Sequence, residues 1–135
     1  MALNPPPPNG NLETTNLPIV QKASLAFQIW YQVLPHTPKL FRHSIGEKIT
    51  NLFTRLIELI LISGFASKDK KLEVVKQASL TLDLLKFFLQ TAFALKALNN
   101  NQLTDLSLPV SEVGKMLGGW QKQLAKETTS RQGRS

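Results

Sequence analysis

Hydrophobic residues recur every three or four positions along most of the chain, which is the period of an α-helix. The first such run begins at Ile19 and ends before Pro35. A second run extends from Lys39 to about Ser63, and Gly64 follows it at the position typical of a C-capping glycine. These two runs predict the first two helices.

A third run starts after Ser67-Lys68-Asp69, where Ser67 or Asp69 could cap the helix, and continues to Leu98. Asn99-Asn100-Asn101 then interrupts the hydrophobic pattern. We therefore predict a third helix that ends at Leu98. The hydrophobic pattern resumes after the three asparagines.

The last run covers roughly residues 102 to 126 and contains Pro109. Because proline has no amide hydrogen and clashes with the preceding turn, we expect a kink or a new helix start near Ser107. Four helices with short connections and no strand pattern predict an all-α fold, an antiparallel four-helix bundle.

The second and third predicted helices have wider apolar faces than one bundle requires. The segment Leu56 to Ile62 leaves only Glu58 to face water, and the third helix carries a second apolar row at Leu84, Phe88, Thr91 and Leu95. Two apolar rows are typical of a helix buried on both sides, as when subunits pack together. Central helices that are well covered within a monomer explain the pattern equally well.

The composition divides the chain into three segments. Residues 1–18 contain four consecutive prolines and few large apolar residues, and residues 127–135 are small or polar. Neither segment can bury enough apolar surface to order itself, so we expect both to be disordered. Residues 19–126 form the predicted four-helix bundle, a single domain.

The predicted bundle carries the whole net charge of +7. Within residues 19–126 there are 14 basic side chains (16 minus Arg131 and Arg134) and 7 acidic ones (9 minus Glu13 and Glu127). A basic folded domain favours an anionic partner, most often nucleic acid and less often an acidic protein or membrane surface.

The basic side chains of the predicted helices are therefore candidates for contacts with phosphate groups. They are Lys39, Arg42, Lys48, Arg55, Lys76, Lys86, Lys96, Lys115 and Lys122. The four on the second predicted helix are the first choices, since they cluster there. For any single lysine, a solvated helix surface is the simpler interpretation.

The sequence offers no constellation for catalysis or metal binding. The chain has no cysteine, which excludes disulfides, thiolate metal sites and cysteine nucleophiles. His36 and His43 have no acidic residue near them before Glu47, so a metal site at these histidines is not expected. The acidic residues are explained by helix-surface ion pairs, such as Arg55 with Glu58 or Asp83 with Lys86, without a catalytic role. We predict a protein that is not an enzyme and that has no metal and no cofactor.

No apolar run approaches the roughly 20 residues that span a bilayer. The segment before Pro5 has neither a basic region nor an apolar run, so we expect no secretory signal. The expected protein is soluble and intracellular, with no membrane partner.

The segment EVGKMLGGWQKQL combines helical periodicity with three glycines, Gly114, Gly118 and Gly119. Each glycine inside a helix costs about 0.5–1 kcal/mol relative to alanine. A phosphate-binding loop is excluded because Pro109 and Met116 stand where its glycine and its hydroxyl residue would be. We predict instead that Gly114 and Gly118 mark a close helix–helix contact, and that Gly119 lets a buried Trp120 point inward.

These residues carry a resemblance to a known family. EVGKMLGGWQK resembles the C-terminal motif of the four-helix-bundle family that includes the accessory variability determinant (Avd) proteins of diversity-generating retroelements. LPIVQKASLAFQIW resembles the first helix of those proteins. Pro38-Lys39, Arg42 and Gly46-Glu47-Lys48-Ile49 are similar to the entry of their second helix. The resemblance covers about Leu17 to Leu124.

The resemblance implies a homopentameric barrel with a basic surface, and a non-enzymatic role. Avd-like proteins bind the reverse transcriptase and the template RNA of their element, with the cDNA as a further candidate ligand, during mutagenic cDNA synthesis. The implied location is the cytoplasm of a prokaryotic cell or of the host of its phage or plasmid element. Pro109 and the proline-rich start depart from the family pattern.

Two other hypotheses remain open. The chain also resembles relatives encoded in ribosomal RNA intervening sequences, which would have a structural or RNA-associated role. A purely structural oligomer is a third possibility, but it leaves the charge of the bundle unexplained. A neighbouring reverse transcriptase gene would favour the first hypothesis, and a position inside a ribosomal RNA gene would favour the second.

Overall fold

The computed structural model describes residues 17–132, with side chains through residue 129. Over that range the chain is helical and contains no strand. The helices are α1 (Pro18–Val33), α2 (Lys39–Arg42), α3 (Ile45–Phe65), α4 (Lys68–Ala94) and α5 (Asn100–Gln132), with a 3-10 helix at Leu34–His36. The prediction of an all-α chain with four long helices is confirmed. The predictions for residues 1–16 and 133–135 lie outside the described residues.

The four long helices form a square in which each packs against two others. α1 and α4 each contact both α3 and α5. Neighbouring helices are antiparallel: Phe27 meets Phe53 while Trp30 meets Thr50, so the residue numbers run in opposite directions along α1 and α3. This arrangement places α3 and α5 at diagonal corners.

Trp30 anchors the centre of the α1–α3 contact. Its side chain is fully buried, with its ring stacked on Phe53 at a centroid distance of 6.3 Å and edge-on to Phe41 at 6.4 Å. The indole Nε1–H donates a hydrogen bond of 2.9 Å to Thr50 Oγ1. Since a buried N–H without an acceptor is costly, this bond allows the large ring to occupy the core.

The second predicted helix is divided by a turn at His43 and Ser44, so Lys39–Arg42 forms the separate helix α2. A glycine is required just after this turn. A Cβ atom at Gly46 would lie 3.0 Å from Leu34 Cδ1 and 3.1 Å from the carbonyl oxygen of Phe41. The prediction of one continuous helix from Lys39 was therefore wrong, because the chain bends sharply to return along α1.

Gly64 does not cap α3. The helix continues to Phe65, its C-cap is Ala66 in an extended conformation, and no described glycine has a positive φ. The C-capping prediction was wrong because the extended backbone at Ala66 ends the helix without a left-handed residue. Ser67 occupies the N-cap position of α4, but its side chain makes no capping hydrogen bond there.

The C-terminus of α4 ends in a Schellman motif, the usual pair of hydrogen bonds around a left-handed residue. The Ala97 amide donates to the Ala92 carbonyl and the Lys96 amide to the Phe93 carbonyl, both at 2.9 Å. The left-handed residue is Lys96, with φ of 63°. A position that favours glycine is thus occupied by a lysine, and the helix ends at Ala94, before the predicted Leu98.

The start of α5 is a capping box. Asn99 Oδ1 accepts a hydrogen bond from the Gln102 amide at 2.8 Å, and Gln102 Oε1 accepts one from the Asn99 amide at 2.9 Å. Each side chain satisfies an amide that has no partner in the first turn of a helix. The asparagine run therefore begins the helix, which starts at Asn100 and not near Gln102.

α5 is one continuous helix from Asn100 to Gln132, with the buried Pro109 inside it. The alternative of a new helix start near Ser107 was wrong. Proline removes the amide that would bond to the Asp105 carbonyl, and packing of the surrounding residues offsets that loss. The helix also continues past Lys126, where the hydrophobic pattern ends.

The apolar faces of the second and third predicted helices are only partly covered. On α3, Ile62 and Phe65 are exposed, so Glu58 is not alone in facing water. In the predicted second row, Leu84 on α4 and Leu95 just after it are exposed, while Phe88 and Thr91 are half-buried. Residues 17–132 leave these side chains uncovered, so the described part of the chain does not support the covered-monomer interpretation for them.

Candidate nucleic-acid interface

A row of three exposed lysines lies along the outer face of α5. Lys115, Lys122 and Lys126 are all exposed, and Gly119 lies between the first two. The intervals of four, three and four residues keep these positions within about 60° of one another around the helix axis. Three positive charges therefore project from one side of one rigid helix.

Two acidic residues of α5, Glu112 and Glu127, lie near this row in the sequence. Glu112 lies one turn before Lys115, but its Oε2 is 2.8 Å from Lys22 Nζ on α1. Glu127 lies about 100° around the helix from Lys126. Because the Glu112 carboxylate pairs with Lys22, it does not form an ion pair with a lysine of the row, and the three lysines present a basic surface to phosphate groups.

Sequence reasoning included Lys115 and Lys122 in this row and missed Lys126. The spacing could have identified Lys126, because residues four apart on a predicted helix lie on the same face, as Lys122 and Lys126 do. A shallow surface depression of about 830 Å³ runs beside them and is lined by Gly119, Lys122, Gln123, Ala125, Lys126 and Thr129. The missing side chain at Gly119 opens this surface.

The basic residues of α3 lie at the opposite corner of the bundle and are mixed with acids. Lys48 and Arg55 are exposed on one face of α3, seven residues apart, as predicted. Arg55 Nη1 lies 3.5 Å from Glu58 Oε2, which confirms the predicted ion pair, and Glu47 adjoins Lys48. The local positive charge is consequently lower here than along α5.

Arg42 stabilises the fold through hydrogen bonds to backbone carbonyls. Its Nη2 donates hydrogen bonds of 3.0 Å to the Pro35 carbonyl and 2.8 Å to the Thr37 carbonyl, and its Nε is buried without a partner. These bonds tie α2 to the end of the 3-10 helix. A guanidinium held by two backbone carbonyls has fewer donors left for phosphate than a free arginine.

The remaining sequence candidates are spread over several elements. Lys39 is exposed on α2, Lys76 is exposed on α4, and Lys96 is the left-handed residue after α4. Lys86 reaches across to α5, where its Nζ lies over Gly114. Among the described residues no ion pair joins Lys86 to Asp83, so that prediction was wrong. The structure thus brings Lys86 next to Gly114, the residue that precedes Lys115 in α5.

The three glycines of the EVGKMLGGWQKQL segment differ in their surroundings. A Cβ atom at Gly114 would lie 3.2 Å from Leu82 Cδ2, which confirms a close contact between α4 and α5. At Gly118 and Gly119 a Cβ atom would meet no described atom within 4 Å. The close contact predicted at Gly118 was wrong, because that residue lies on the α5 surface beside the contact.

Trp120 is half-buried, so the prediction of a buried Trp120 was also wrong. One side of its ring packs on the core. The other side borders an open apolar pocket of about 450 Å³, lined by Leu17, Pro18, Ile19, Met116 and Trp120. The start of α1 covers only part of the indole, since α5 extends beyond it.

The described part of the chain offers neither a metal site nor a membrane span. Between residues 17 and 132, no group of three or more His, Cys, Asp or Glu residues is arranged to hold a metal ion. In the same range no helix is both long enough and apolar enough to cross a membrane. The lysine row on α5 is suited to binding anions.

A comparison with protein families finds a match that spans most of the chain, including the glycine-tryptophan segment. The model of the family described as bAvd-like matches residues 17–124. The chain belongs to the bAvd-like family. No curated protein matches the chain.

The bAvd-like match begins with the residue before α1 and ends inside α5, at Leu124. It includes α1, α3, α4 and most of α5, with Gly114 and the first two lysines of the row. Proteins of the bAvd-like type are generally accessory and non-catalytic. Lys126 lies two residues beyond the matched range, so the family comparison carries no information about it.

Proposed function

We propose that this chain is a non-enzymatic accessory protein of a diversity-generating retroelement. It binds the reverse transcriptase and the template RNA, together with the cDNA, and supports mutagenic cDNA synthesis as a basic homo-oligomer. Membership of the bAvd-like family supports the accessory role. The observation that carries nucleic-acid binding is the lysine row on α5, Lys115, Lys122 and Lys126.

The lysine row is suited to a nucleic-acid strand, whose phosphate groups follow one another at regular spacing. Its first and last lysines are 11 residues apart in α5 (126 minus 115), which is about 16 Å at 1.5 Å per residue. That length matches a few consecutive phosphates of an extended single strand. Lysines recognise charge and not base edges, so we expect little sequence preference from this protein alone. The reverse transcriptase and its template would then supply the selection.

The test compares two sets of charge removals in binding to a labelled single-stranded RNA. One variant carries Lys115→Ala, Lys122→Ala and Lys126→Ala. The other carries Lys48→Ala and Arg55→Ala, the pair favoured by sequence alone. For single strands, log affinity falls by about 0.7 per neutralised phosphate for each tenfold rise in salt. The α5 variant should therefore lower the salt slope by about 2, and the α3 variant should lower it less.

Binding of the reverse transcriptase of the same element is measured separately, by co-purification with the parent chain and with each variant. A parent chain that binds neither RNA nor reverse transcriptase would refute the proposed function. A folded α5 variant that keeps the parent affinity and salt slope would show that the row is only a solvated surface. The assembly itself is measured by light scattering, where a pentamer has five times the 15.1 kDa mass of one chain.

A further inference from the structure

Trp120 on α5 and the first residues of α1 border an apolar pocket that residues 17–129 leave open. Its volume is about 450 Å³, within the roughly 300–1,000 Å³ typical of ligand pockets. Every lining residue is apolar: Leu17, Pro18, Ile19, Met116 and Trp120. One side of a half-buried indole ring is thus exposed at a surface without charge, and covering it with apolar groups would be favourable.

The segment that precedes the described residues is attached at the rim of this pocket. Leu17 lines the pocket and has φ of −61° and ψ of 138°, close to the backbone conformation of a polyproline II helix. The chain therefore leaves α1 in an extended direction at the pocket itself. A short tether gives residues 1–16 an effective concentration on the order of millimolar at the indole ring.

The sequence of residues 1–16 suits an apolar aromatic surface. It contains the consecutive prolines Pro5–Pro8, and Glu13 is its only charged side chain. Consecutive prolines favour a polyproline II helix, which is stiff before it binds and so loses little conformational entropy. Proteins commonly bind such helices in grooves lined by aromatic side chains. Four prolines span about 12 Å, which is long enough to cross the pocket.

The residues between the prolines and α1 allow the prolines to return to the pocket. Residues 9–16 give the tether a length of at most about 30 Å from Pro8 to Leu17. Asn9-Gly10-Asn11 follows the prolines directly, and Asn-Gly is a strong turn signal. A reversal at these residues directs Pro5–Pro8 back along the tether, toward the ring beside which Leu17 lies.

We propose that Pro5–Pro8 docks against the exposed side of Trp120 and covers the pocket as an intramolecular strap. The inference is independent of the proposed retroelement function and of self-assembly. Residues 1–18 have too little apolar surface to order themselves, and here the bundle supplies the missing surface. The tether favours this occupant, because a free ligand of the same affinity would need a concentration on the order of millimolar to compete with it.

The strap leaves the lysine row on α5 accessible. Trp120 lies about 120–160° around the helix axis from each lysine of the row. A nucleic-acid strand on the row and the prolines on Trp120 therefore occupy different sides of α5. A partner that approached the Trp120 side of the helix would have to displace the prolines first.

The test measures quenching of tryptophan fluorescence by acrylamide in the full chain. The chain has two tryptophans, and Trp30 is fully buried, so a soluble quencher reports on Trp120. The strap variant keeps the length and charge of the segment and carries Pro5→Ser, Pro6→Ser, Pro7→Ser and Pro8→Ser. The control makes the same number of changes outside the prolines and the turn: Asn4→Ser, Thr14→Ser, Thr15→Ser and Asn16→Ser.

The parent and the control should resist quenching, since both tryptophans are then covered. In the strap variant the emission of Trp120, up to one of the two tryptophans, should become quenchable and shift to longer wavelength. Protection in the parent should not change on dilution, because an intramolecular contact does not depend on protein concentration. Circular dichroism should give all three chains the same helical content, since every substitution lies before α1.

Each other result contradicts the strap. If the parent and the strap variant are both readily quenched, Trp120 is open in the folded chain. If both are protected, another surface, such as a neighbouring copy, covers the ring. Loss of protection on dilution assigns the cover to a second copy. Nuclear Overhauser contacts between the proline rings and the Trp120 indole test docking in the parent without any substitution, and their absence overturns it.

Discussion

The Cδ2 atom of Leu82 on α4 lies 3.2 Å from the position that a Cβ atom would occupy at Gly114 on α5. The Nζ atom of Lys86 lies 3.1 Å from the same position. The two helices approach closely at this point because α5 has no side chain there. The packing therefore requires a glycine at this site. The close contact offsets the low helix propensity of glycine.

Gly114→Leu should reduce the free energy of unfolding by about 1–3 kcal/mol, because the added side chain overpacks the contact with Leu82. Urea denaturation followed by circular dichroism measures the change. A variant with the same denaturation midpoint as the parent would mean that α4 and α5 do not meet closely at this residue.

Gly118→Ala should stabilise the chain by about 0.5–1 kcal/mol. The new methyl group enters open space, and alanine favours the helix more than glycine does. The same denaturation experiment on Gly119→Ala provides a matched comparison, since that residue is also open. A destabilised Gly118→Ala variant would indicate that another molecule packs against this part of α5.

Arg42→Ala should destabilise the fold by about 1.5–3 kcal/mol, the range for hydrogen bonds made by charged groups. The substitution leaves the carbonyl oxygens of Pro35 and Thr37 without their donor. Lys39→Ala, in the same short helix, removes one exposed positive charge and should leave the melting temperature nearly unchanged. Equal melting temperatures for both variants would contradict a structural role for Arg42.

Lys96→Gly should stabilise the chain by about 1 kcal/mol, because a left-handed backbone strains every residue that has a Cβ atom. Lys96→Ala removes the same charge and retains the Cβ atom, so it should give no such gain. Thermal melting of the two variants side by side isolates the backbone effect from the loss of charge. A gain of the same size in the alanine variant would show that charge, and not conformation, limits stability here.

Local chemistry made much of the fold predictable from sequence. The helical period predicted α1 and α4 to within a few residues of their bounds, since the spacing of hydrophobic and polar residues along a helix can be read from that segment alone. The spacing of Lys48 and Arg55, and the pairing of Arg55 with Glu58, follow from the same geometry. The turn at His43 was not predictable in this way, because it depends on how the chain returns along α1.

The sequence by itself determined which residues share a face of each helix, and therefore that the chain is all-α with four long helices and that Lys115 and Lys122 share a face of the last. Only the tertiary structure decided what lies opposite each face. In the folded chain Gly114 lies against Leu82, whereas Gly118 faces open space. Arg42 donates to backbone carbonyls, and Glu112 pairs with Lys22 on α1. The physical reason is that periodicity locates a residue around its own helix axis. The identity of the neighbour across that face depends on the connections and the packing of all the helices together.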